Sequence, residues 1–334
     1  MNYIGSKYSL LPFLVSAVEE VVGKDLTDKI FCDIFAGTGI VGRAFKTRVK
    51  KIISNDMEYY SYVLNKNYIE NHTPLEDKEK YIETLNGLNG VDDGFIYNNY
   101  CLGSGSGRQY FSDENGMKID SIRTQIEQWR ESGQITDNLY YFLLCSLLES
   151  ADKLANTASV YGAFLKQLKM SAQKPLIIES AEFAINNNTH QVFCQDANDL
   201  IKNIQGDILY LDPPYNARQY GANYHMLNTI AEYKTFEPKG KTGLRDYVRS
   251  QYCSKRNVVE SFENLIRDAN FKYIFLSYNN EGLMTPQMIS AIMSKYGRYN
   301  VVTQSYQRFK ADKTENRNHK ADKTTEYLHI LVKE

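Results

Sequence analysis

Four consecutive residues carry the densest chemistry in the chain: Asp212-Pro213-Pro214-Tyr215. They follow Gly206-Asp207-Ile208-Leu209-Tyr210-Leu211, a short apolar run that reads as a buried strand. Proline fixes φ and has no N–H, so Pro213 and Pro214 end strand pairing and stiffen the turn. The residue before a proline is held extended, which sets the direction of Asp212. The result is a rigid lip at the carboxyl end of a strand, where open α/β sheets bind ligands. It offers a carboxylate, backbone carbonyls with no competing N–H, and an aromatic face. Those parts suit a flat ring bearing an amino group.

A second constellation lies nearer the N-terminus. Ile30-Phe31-Cys32-Asp33-Ile34-Phe35 is a buried-strand run, followed by Ala36-Gly37-Thr38-Gly39-Ile40-Val41-Gly42 and a helix to about Phe45. The glycines satisfy G-x-G-x-x-G between a strand and a helix. The next strand, Lys51 to Ser54, ends in Asn55-Asp56-Met57-Glu58. Asp56 stands 19 residues beyond Gly37, a spacing that suits an acid reaching ribose hydroxyls. Taken alone, this glycine motif equally permits a nicotinamide dehydrogenase. A third acid, Asp196, ends the run Gln191-Val192-Phe193-Cys194, and its default role is to cap a helix over Ala197–Ile204.

Asp-Pro-Pro-Tyr is the signature of the amino-methyltransferases that act on adenine N6 in DNA, and the chain resembles that family elsewhere too. Asp33-Ile34-Phe35-Ala36-Gly37-Thr38-Gly39 is similar to the methyltransferase form of the glycine loop. Asn2-Tyr3-Ile4-Gly5-Ser6-Lys7 is similar to the family's opening turn, although on residues alone it reads as a frayed terminus. Ser277-Tyr278-Asn279-Asn280-Glu281-Gly282 is a further point of resemblance. The order, with the glycine motif first, Asp-Pro-Pro-Tyr later and an insert between, matches the α group (D12 class) of restriction-modification type.

The resemblance implies a Rossmann-like α/β fold, dependent on S-adenosyl-L-methionine, with a mixed seven-stranded sheet. It also implies an inserted, mainly helical target-recognition subdomain. The implied cofactor residues are Tyr3, Ile4, Gly5, Ser6, Lys7, Asp33, Phe35, Gly37, Thr38, Gly39, Asp56, Met57, Asp196 and Ala197. This cofactor carries no phosphate, so the glycines would only let the backbone approach it. Asp212, Pro213, Pro214 and Tyr215 become the catalytic set. Asp212 and the Pro213 carbonyl would accept the two N6 hydrogens, and Tyr215 would stack on a flipped adenine.

Length and composition allow such an architecture. The 334 residues suffice for one large α/β domain and a smaller one. A net charge of −1 means that any nucleic-acid contact must come from local patches. The odd, scattered set Cys32, Cys101, Cys145, Cys194 and Cys253 suggests neither a disulfide framework nor a zinc site. No signal peptide is apparent, and Leu139–Leu148 is too short to span a bilayer, so a cytoplasmic, bacterial or phage-borne enzyme is expected.

The elements follow in order. Helices are expected at about Leu10–Val22, Tyr59–Asn71, Ile119–Ser132 and Thr136–Leu168, then at Val258–Ala269 and Thr285–Lys295. The sheet resumes at Pro175–Glu179 or, with a stronger pattern, at Gln191–Cys194. Strands at Tyr273–Tyr278, Asn300–Tyr306 and Glu326–Val332 complete it. Residues 74–190 break the β-α alternation, which divides the chain into a catalytic domain (1–73 and 191–334) and an inserted subdomain (74–190). A plain packing role is the alternative for the insert.

Double-stranded DNA is the expected partner, with a cognate restriction endonuclease as a further one. Candidate DNA contacts are Lys7, Asn216, Arg218, Tyr220, Arg245 and Arg249, with Lys310, Lys313, Arg317 and Lys320 of a basic near-repeat. Solvated charge is the default reading of those basic segments. His225 has no His or Cys at ligand spacing and reads as structural, so no metal is implied. Three alternatives stand beside the leading one: the same chemistry on RNA adenine or DNA cytosine N4, a silent nucleic-acid-binding module, and a dehydrogenase.

Overall fold

The computed structural model describes the backbone of residues 6–307 and 323–334. Its strands are β1 (Ile30–Asp33), β2 (Lys51–Asn55), β3 (Gln191–Phe193), β4 (Gln205–Leu211), β5 (Asn270–Asn279), β6 (Gly297–Gln307) and β7 (Lys323–Lys333). They form one sheet in the order β3-β2-β1-β4-β5-β7-β6. The first five neighbours run parallel, and β7 is antiparallel to both β5 and β6. This is the expected seven-stranded mixed sheet. From β1 the chain steps outward to β2 and β3, then returns to place β4 on the other side of β1. That reversal is the switch point at which doubly wound sheets bind ligands.

The sheet belongs to a compact unit made of the described residues up to Met57, Asn186–Gln219, and the chain from Arg249 onward. Apolar side chains explain its middle. Cys32, Ile34, Ile53, Leu209, Leu211, Ile274 and Leu276 are buried against Ala197, Leu200 and Ile201, and against helices Val258–Asp268 and Pro286–Met293. Phe31 of β1 stacks on Phe45, at the end of helix Ile40–Phe45, at 4.3 Å and on Tyr210 of β4 at 6.5 Å. Strand runs this apolar are what a sheet covered by helices requires.

Glu58–Ile185 and Tyr220–Val248 form a second, helical unit. Its core takes Tyr60, Val63, Leu64 and Tyr68 from the first segment, with Tyr224, Met226, Leu227 and Ile230 from the last. Helices Asp113–Glu131 and Asp137–Leu154 supply much of the rest. The compact units therefore divide the chain at other points than 73 and 191. Segments 58–73 and 220–248 bury their apolar faces with the insert, whereas an alternation pattern groups them with the strands they follow.

Several elements differ from the sequence expectation for local reasons. The segment expected to be one helix over Tyr59–Asn71 is α-helical at Tyr59–Asn65 and π-helical at Lys66–Glu70. Helix Asp113–Glu131 begins six residues earlier than Ile119 because Ser112 caps it, its hydroxyl accepting the Asn115 N–H. The helix expected to run to Leu168 stops at Leu154. Beyond it, Asn156 gives its N–H to the Tyr110 carbonyl at 2.7 Å, and its amide donates to the Gln109 and Leu165 carbonyls. These non-local bonds replace the helical ones. No strand forms at Pro175–Glu179, where Asn115 and Asn86 bind the backbone of Leu176 and Ile178 instead.

Candidate active site

All the acids singled out from the sequence stand at the carboxyl ends of strands in the sheet unit. Asp33 ends β1, Asp56 follows β2, Asp196 follows β3, and Asp212 follows β4. Asp212 is joined there by groups distant in sequence. Lys7 Nζ lies 2.9 Å from Asp212 Oδ1 and 3.3 Å from Glu326 Oε1. The Lys7 ammonium also donates to the Tyr215 hydroxyl at 2.8 Å. That hydroxyl is 2.8 Å from Asp212 Oδ1 and 2.8 Å from Glu326 Oε1. The Tyr215 ring tilts against Tyr278 at 4.8 Å, and the Leu283 N–H binds the Tyr215 carbonyl. The lip is therefore held from both ends.

Two carboxylates and one ammonium leave an excess negative charge. Lys7 keeps 4% of its side chain exposed and Glu326 none, whereas Asp212 keeps 20%. Asp212 is the acid of the cluster that faces outward. Burial raises its pKa above the ordinary carboxylate value; Lys7 pulls it down and Glu326 pushes it further up. Burial, Asp212 and Glu326 together hold the Tyr215 phenol well above its usual value, so it stays a neutral hydroxyl.

The glycine loop is built from the ends of β1 and β2. Gly37 and Gly39 have φ of 52° and 73°, where a side chain would be strained. The Gly37 N–H donates to Asp56 Oδ2 at 2.8 Å, so Asp56 pins the loop. Asn55 joins three strand ends: its amide donates to the Ile34 and Gln195 carbonyls, and its oxygen accepts the Gln195 N–H. Phe35 meets the Tyr252 ring edge-on at 4.9 Å. Met57 accepts a long contact from the exposed Cys194 thiol, 3.8 Å away, and Asp196 caps its helix through the Asn198 N–H at 2.8 Å. Ala197 is buried in that helix, and Thr38 is half-buried in the loop.

Asp33 is fully buried. Burial holds its carboxyl well above the ordinary value, with Asp212 and Asp56 adding to the shift and the Gly42 N–H opposing it. Its Oδ1 has no hydrogen-bond partner among the described residues. An acid whose folded-state pKa is raised binds its proton more tightly folded than unfolded. Its contribution to stability is therefore fully present below the unfolded carboxylate pKa of about 3.9 and is lost as pH rises through the folded value. Asp33→Asn is expected to raise the melting temperature of the ligand-free protein at neutral pH, by about 2–4 °C for each kcal/mol relieved. The gain should shrink toward pH 4. Scanning calorimetry at both pH values checks this; a uniform loss of stability would contradict it.

The expected DNA contacts differ in their surroundings. Asn216, Arg218 and Arg249 are exposed. Asn216 Oδ1 accepts the Arg218 N–H and shapes the loop after the lip. Tyr220, in the helical unit, stacks on Tyr224 at 5.9 Å. Arg245 is engaged within that unit, 2.8 Å from Glu232 and over the Phe236 ring. Lys310, Lys313, Arg317 and Lys320 lie outside the described residues, as do Tyr3, Ile4 and Gly5; Ser6 is exposed. His225 is buried, with Nε2 placed to donate to the Tyr161 carbonyl at 3.0 Å, and burial lowers its pKa to about 4. Among the described residues no cluster of His, Cys, Asp and Glu could hold a metal ion, and no helix is long and apolar enough to cross a membrane.

The sequence reading did not single out Glu326 or Asn55. Glu326 sits 111 residues from Tyr215, on the face of its strand that also carries Leu328 and Ile330, and an acid on that apolar face is the signal that could have found it. Asn55 is a neutral amide beside the acid Asp56, and its partners Ile34 and Gln195 lie 21 and 140 residues away in sequence.

The model of the D12 class of N6 adenine-specific DNA methyltransferases matches residues 3–292. The chain belongs to that family. It is 64% identical to the type II methyltransferase M.NlaIII of Neisseria lactamica, over all of this chain and 99% of that one. It is 37% identical to the type II methyltransferase M.CviAII of Paramecium bursaria Chlorella virus 1, over 93% of each. It is also 37% identical to the type II methyltransferase M.FokI of Planomicrobium okeanokoites, and there it spans 53% of the relative's length. Membership in the D12 class decides among the alternatives left by the sequence. The substrate is DNA and the acceptor is adenine N6; cytosine N4, RNA, a silent module and hydride transfer fall away.

Proposed function

We propose that this D12 methyltransferase uses S-adenosyl-L-methionine to methylate adenine in a short duplex target, as the modification enzyme of a type II restriction-modification system. The observation that carries this reading is Asp212, fixed by Lys7 and Tyr215 at the carboxyl end of β4 with its remaining surface facing outward. The relatives' type II names support the system, and a cognate endonuclease becomes the paired activity. The reaction belongs in the cytoplasm, where duplex DNA is accessible.

The residues of the sheet unit fit the cofactor. Buried Asp33 Oδ1, without a partner among the described residues, can take a cationic amino group. Gly37 and Gly39 allow close backbone approach, and Phe35, Thr38, Asp56, Met57, Asp196 and Ala197 line the neighbouring strand ends. The opening turn Tyr3-Ile4-Gly5-Ser6-Lys7 would complete the site. When bound, the cofactor supplies an electrophilic methyl on a sulfonium.

The chain's own task is to prepare the nucleophile. Adenine N6 is weakly nucleophilic because its lone pair is conjugated into the ring. Asp212 and the Pro213 carbonyl each accept one N6 hydrogen, which favours a pyramidal nitrogen and aims its lone pair. Positioning of this kind is the main demand of a one-step in-line displacement. Pro214 keeps the lip rigid. Tyr215, its hydroxyl fixed, presents a ring to the extruded base, and such stacking offsets a flipping cost of a few kcal/mol.

Residues 74–190 are the target reader in this proposal, and 1–73 with 191–334 the catalytic part. Exchanging exposed residues within 74–190 for those of a relative with another target should change the methylated motif while the cofactor dissociation constant stays within about threefold. Loss of cofactor binding instead would make the segment structural. Asn216, Arg218, Tyr220 and Arg249 are the proposed backbone contacts, joined by Lys310, Lys313, Arg317 and Lys320. Arg218→Ala should weaken binding of all duplexes alike and reduce the salt slope by about one.

The direct test is transfer of radiolabelled methyl from S-adenosyl-L-methionine to unmethylated duplex DNA, followed by nucleoside analysis. Label in N6-methyldeoxyadenosine at one short motif supports the proposal. Label in RNA alone, or none with cofactor bound, refutes it.

A further inference from the structure

Glu326 is the one acid of the cluster that belongs to neither the glycine loop nor the Asp-Pro-Pro-Tyr lip. It lies on β7 in register with Asn279 of β5 and Gln304 of β6. Its side chain is wholly buried. Oε1 meets the Tyr215 hydroxyl and Lys7, and Oε2 has no hydrogen-bond partner among the described residues. Removing a carboxylate from water costs several kcal/mol unless it is fully paired. One ammonium shared with Asp212 does not pair it fully, so packing alone gives no reason for an acid here.

The Tyr215 hydroxyl suggests the reason. It stands 2.8 Å from each carboxylate but carries a single proton, so it can donate to only one of them at a time. A hydroxyl in that position can take a proton from one acid while giving its own to the other. Methylation of N6 creates that need. As the N–CH3 bond forms, the amine gains positive charge and must lose one hydrogen.

We propose that Glu326 is a positioning residue that, through Tyr215, drains the proton the substrate amine delivers to Asp212. The inference rests on the reading that Asp212 binds the N6 amino group. The balance is simple. The methylated N6 gives one proton to Asp212. Asp212 passes one proton to Tyr215 Oη as Tyr215 passes its own to Glu326 Oε1. The amine ends neutral, Asp212 returns to a carboxylate and Tyr215 is unchanged; Glu326 holds the proton until product leaves, when it returns through Tyr215 to Asp212, whose side chain is 20% exposed, and on to solvent. Burial already disfavours charge in the cluster, and Lys7 holds the hydroxyl in line.

The groups that set this relay are Lys7 from the N-terminal segment, Tyr210, Asp212 and Tyr215 from β4 and its lip, and Asp33 and Asp56 at the neighbouring strand ends. From β5 and β6 the register partners Asn279 and Gln304 are neutral. His329 points to the opposite face of β7, where it contacts Tyr299.

The test is single-turnover methyl transfer by Glu326→Gln across pH, at saturating S-adenosyl-L-methionine and duplex, with Glu326→Asp beside it. Gln keeps the size and one acceptor oxygen but cannot store a proton. The expected result is a rate about 10²-fold lower, an altered pH dependence, and DNA and cofactor affinities within about twofold. Glu326→Asp should recover part of the rate and of the original pH dependence, which a packing role would not predict. A Glu326→Gln rate within threefold of the unaltered protein with the same pH profile overturns the proposal. So does a fall traced to weaker cofactor binding or a lower melting temperature, with Asp no better than Gln. The unaltered protein in parallel separates the two levels: absence of N6-methyladenine there sinks the underlying reading as well, whereas normal product with an indifferent Glu326 sinks this inference alone.

Discussion

Replacing Asp212 by Ala is expected to lower single-turnover methylation by at least about 10³-fold while leaving cofactor affinity within threefold. The size follows from the two tasks of this one side chain. It accepts an N6 hydrogen, and it holds Lys7 and the Tyr215 hydroxyl through Oδ1. Loss of a preorganised polar group at the reacting atom costs about 10²–10³ in rate, and misplacing its neighbours adds a positioning penalty. The glycine loop is pinned by Asp56 and not by Asp212, which is why cofactor binding should survive. Asp212→Asn should be the milder change, since its amide oxygen can still accept a hydrogen bond. Rapid-quench measurement of N6-methyldeoxyadenosine, with calorimetric titration of S-adenosyl-L-methionine, reads both quantities. Turnover retained in the alanine variant would remove Asp212 from the mechanism.

Lys7→Met should have the largest effect on stability. Lys7 is the buried cation between Asp212 and Glu326. Removing one partner of a buried ionic group typically costs about 3–5 kcal/mol, because the other charges are left uncompensated. Asp212 responds by holding its proton more tightly, since the nearby Glu326 carboxylate disfavours its ionised form. Asp212 already has a raised pKa, and Lys7 is the largest influence opposing the shift. Without Lys7 the folded-state value rises further. For such an acid, stability falls as pH climbs from the unfolded value toward the folded one. The melting-temperature deficit of Lys7→Met should therefore widen as pH rises above the unfolded carboxylate pKa of about 3.9. Methylation should fall about 10²-fold, with an acid limb displaced to higher pH. A deficit that is constant or narrows with pH would show that Lys7 does not compensate these carboxylates.

The sequence alone determined the chemical vocabulary of this protein. Asp212-Pro213-Pro214-Tyr215 after an apolar run specifies a rigid lip through the covalent constraint of proline, which acts wherever the chain goes. Gly37 and Gly39 read as a tight turn for a similarly local reason, and the left-handed φ values agree. Strand runs around Ile30–Asp33, Lys51–Asn55 and Gln205–Leu211 were legible because sheet positions covered by helices need continuous apolar sequence.

Tertiary structure decided which of these groups meet. Lys7 and Tyr215 are 208 residues apart, and Glu326 and Tyr215 are 111 apart. The strand order β4-β5-β7 is what brings Glu326 toward the lip, and no local pattern encodes it. The limits of the helical unit were hidden for a related reason. Tyr60 and Leu227 are apolar in a helical rhythm that does not say which core they enter. The end of helix Asp137–Leu154 depends on Asn156 finding carbonyls elsewhere in the fold. Local stereochemistry acts through neighbouring bonds and can be read residue by residue, whereas a buried charge cluster exists only once distant segments share one low-dielectric space.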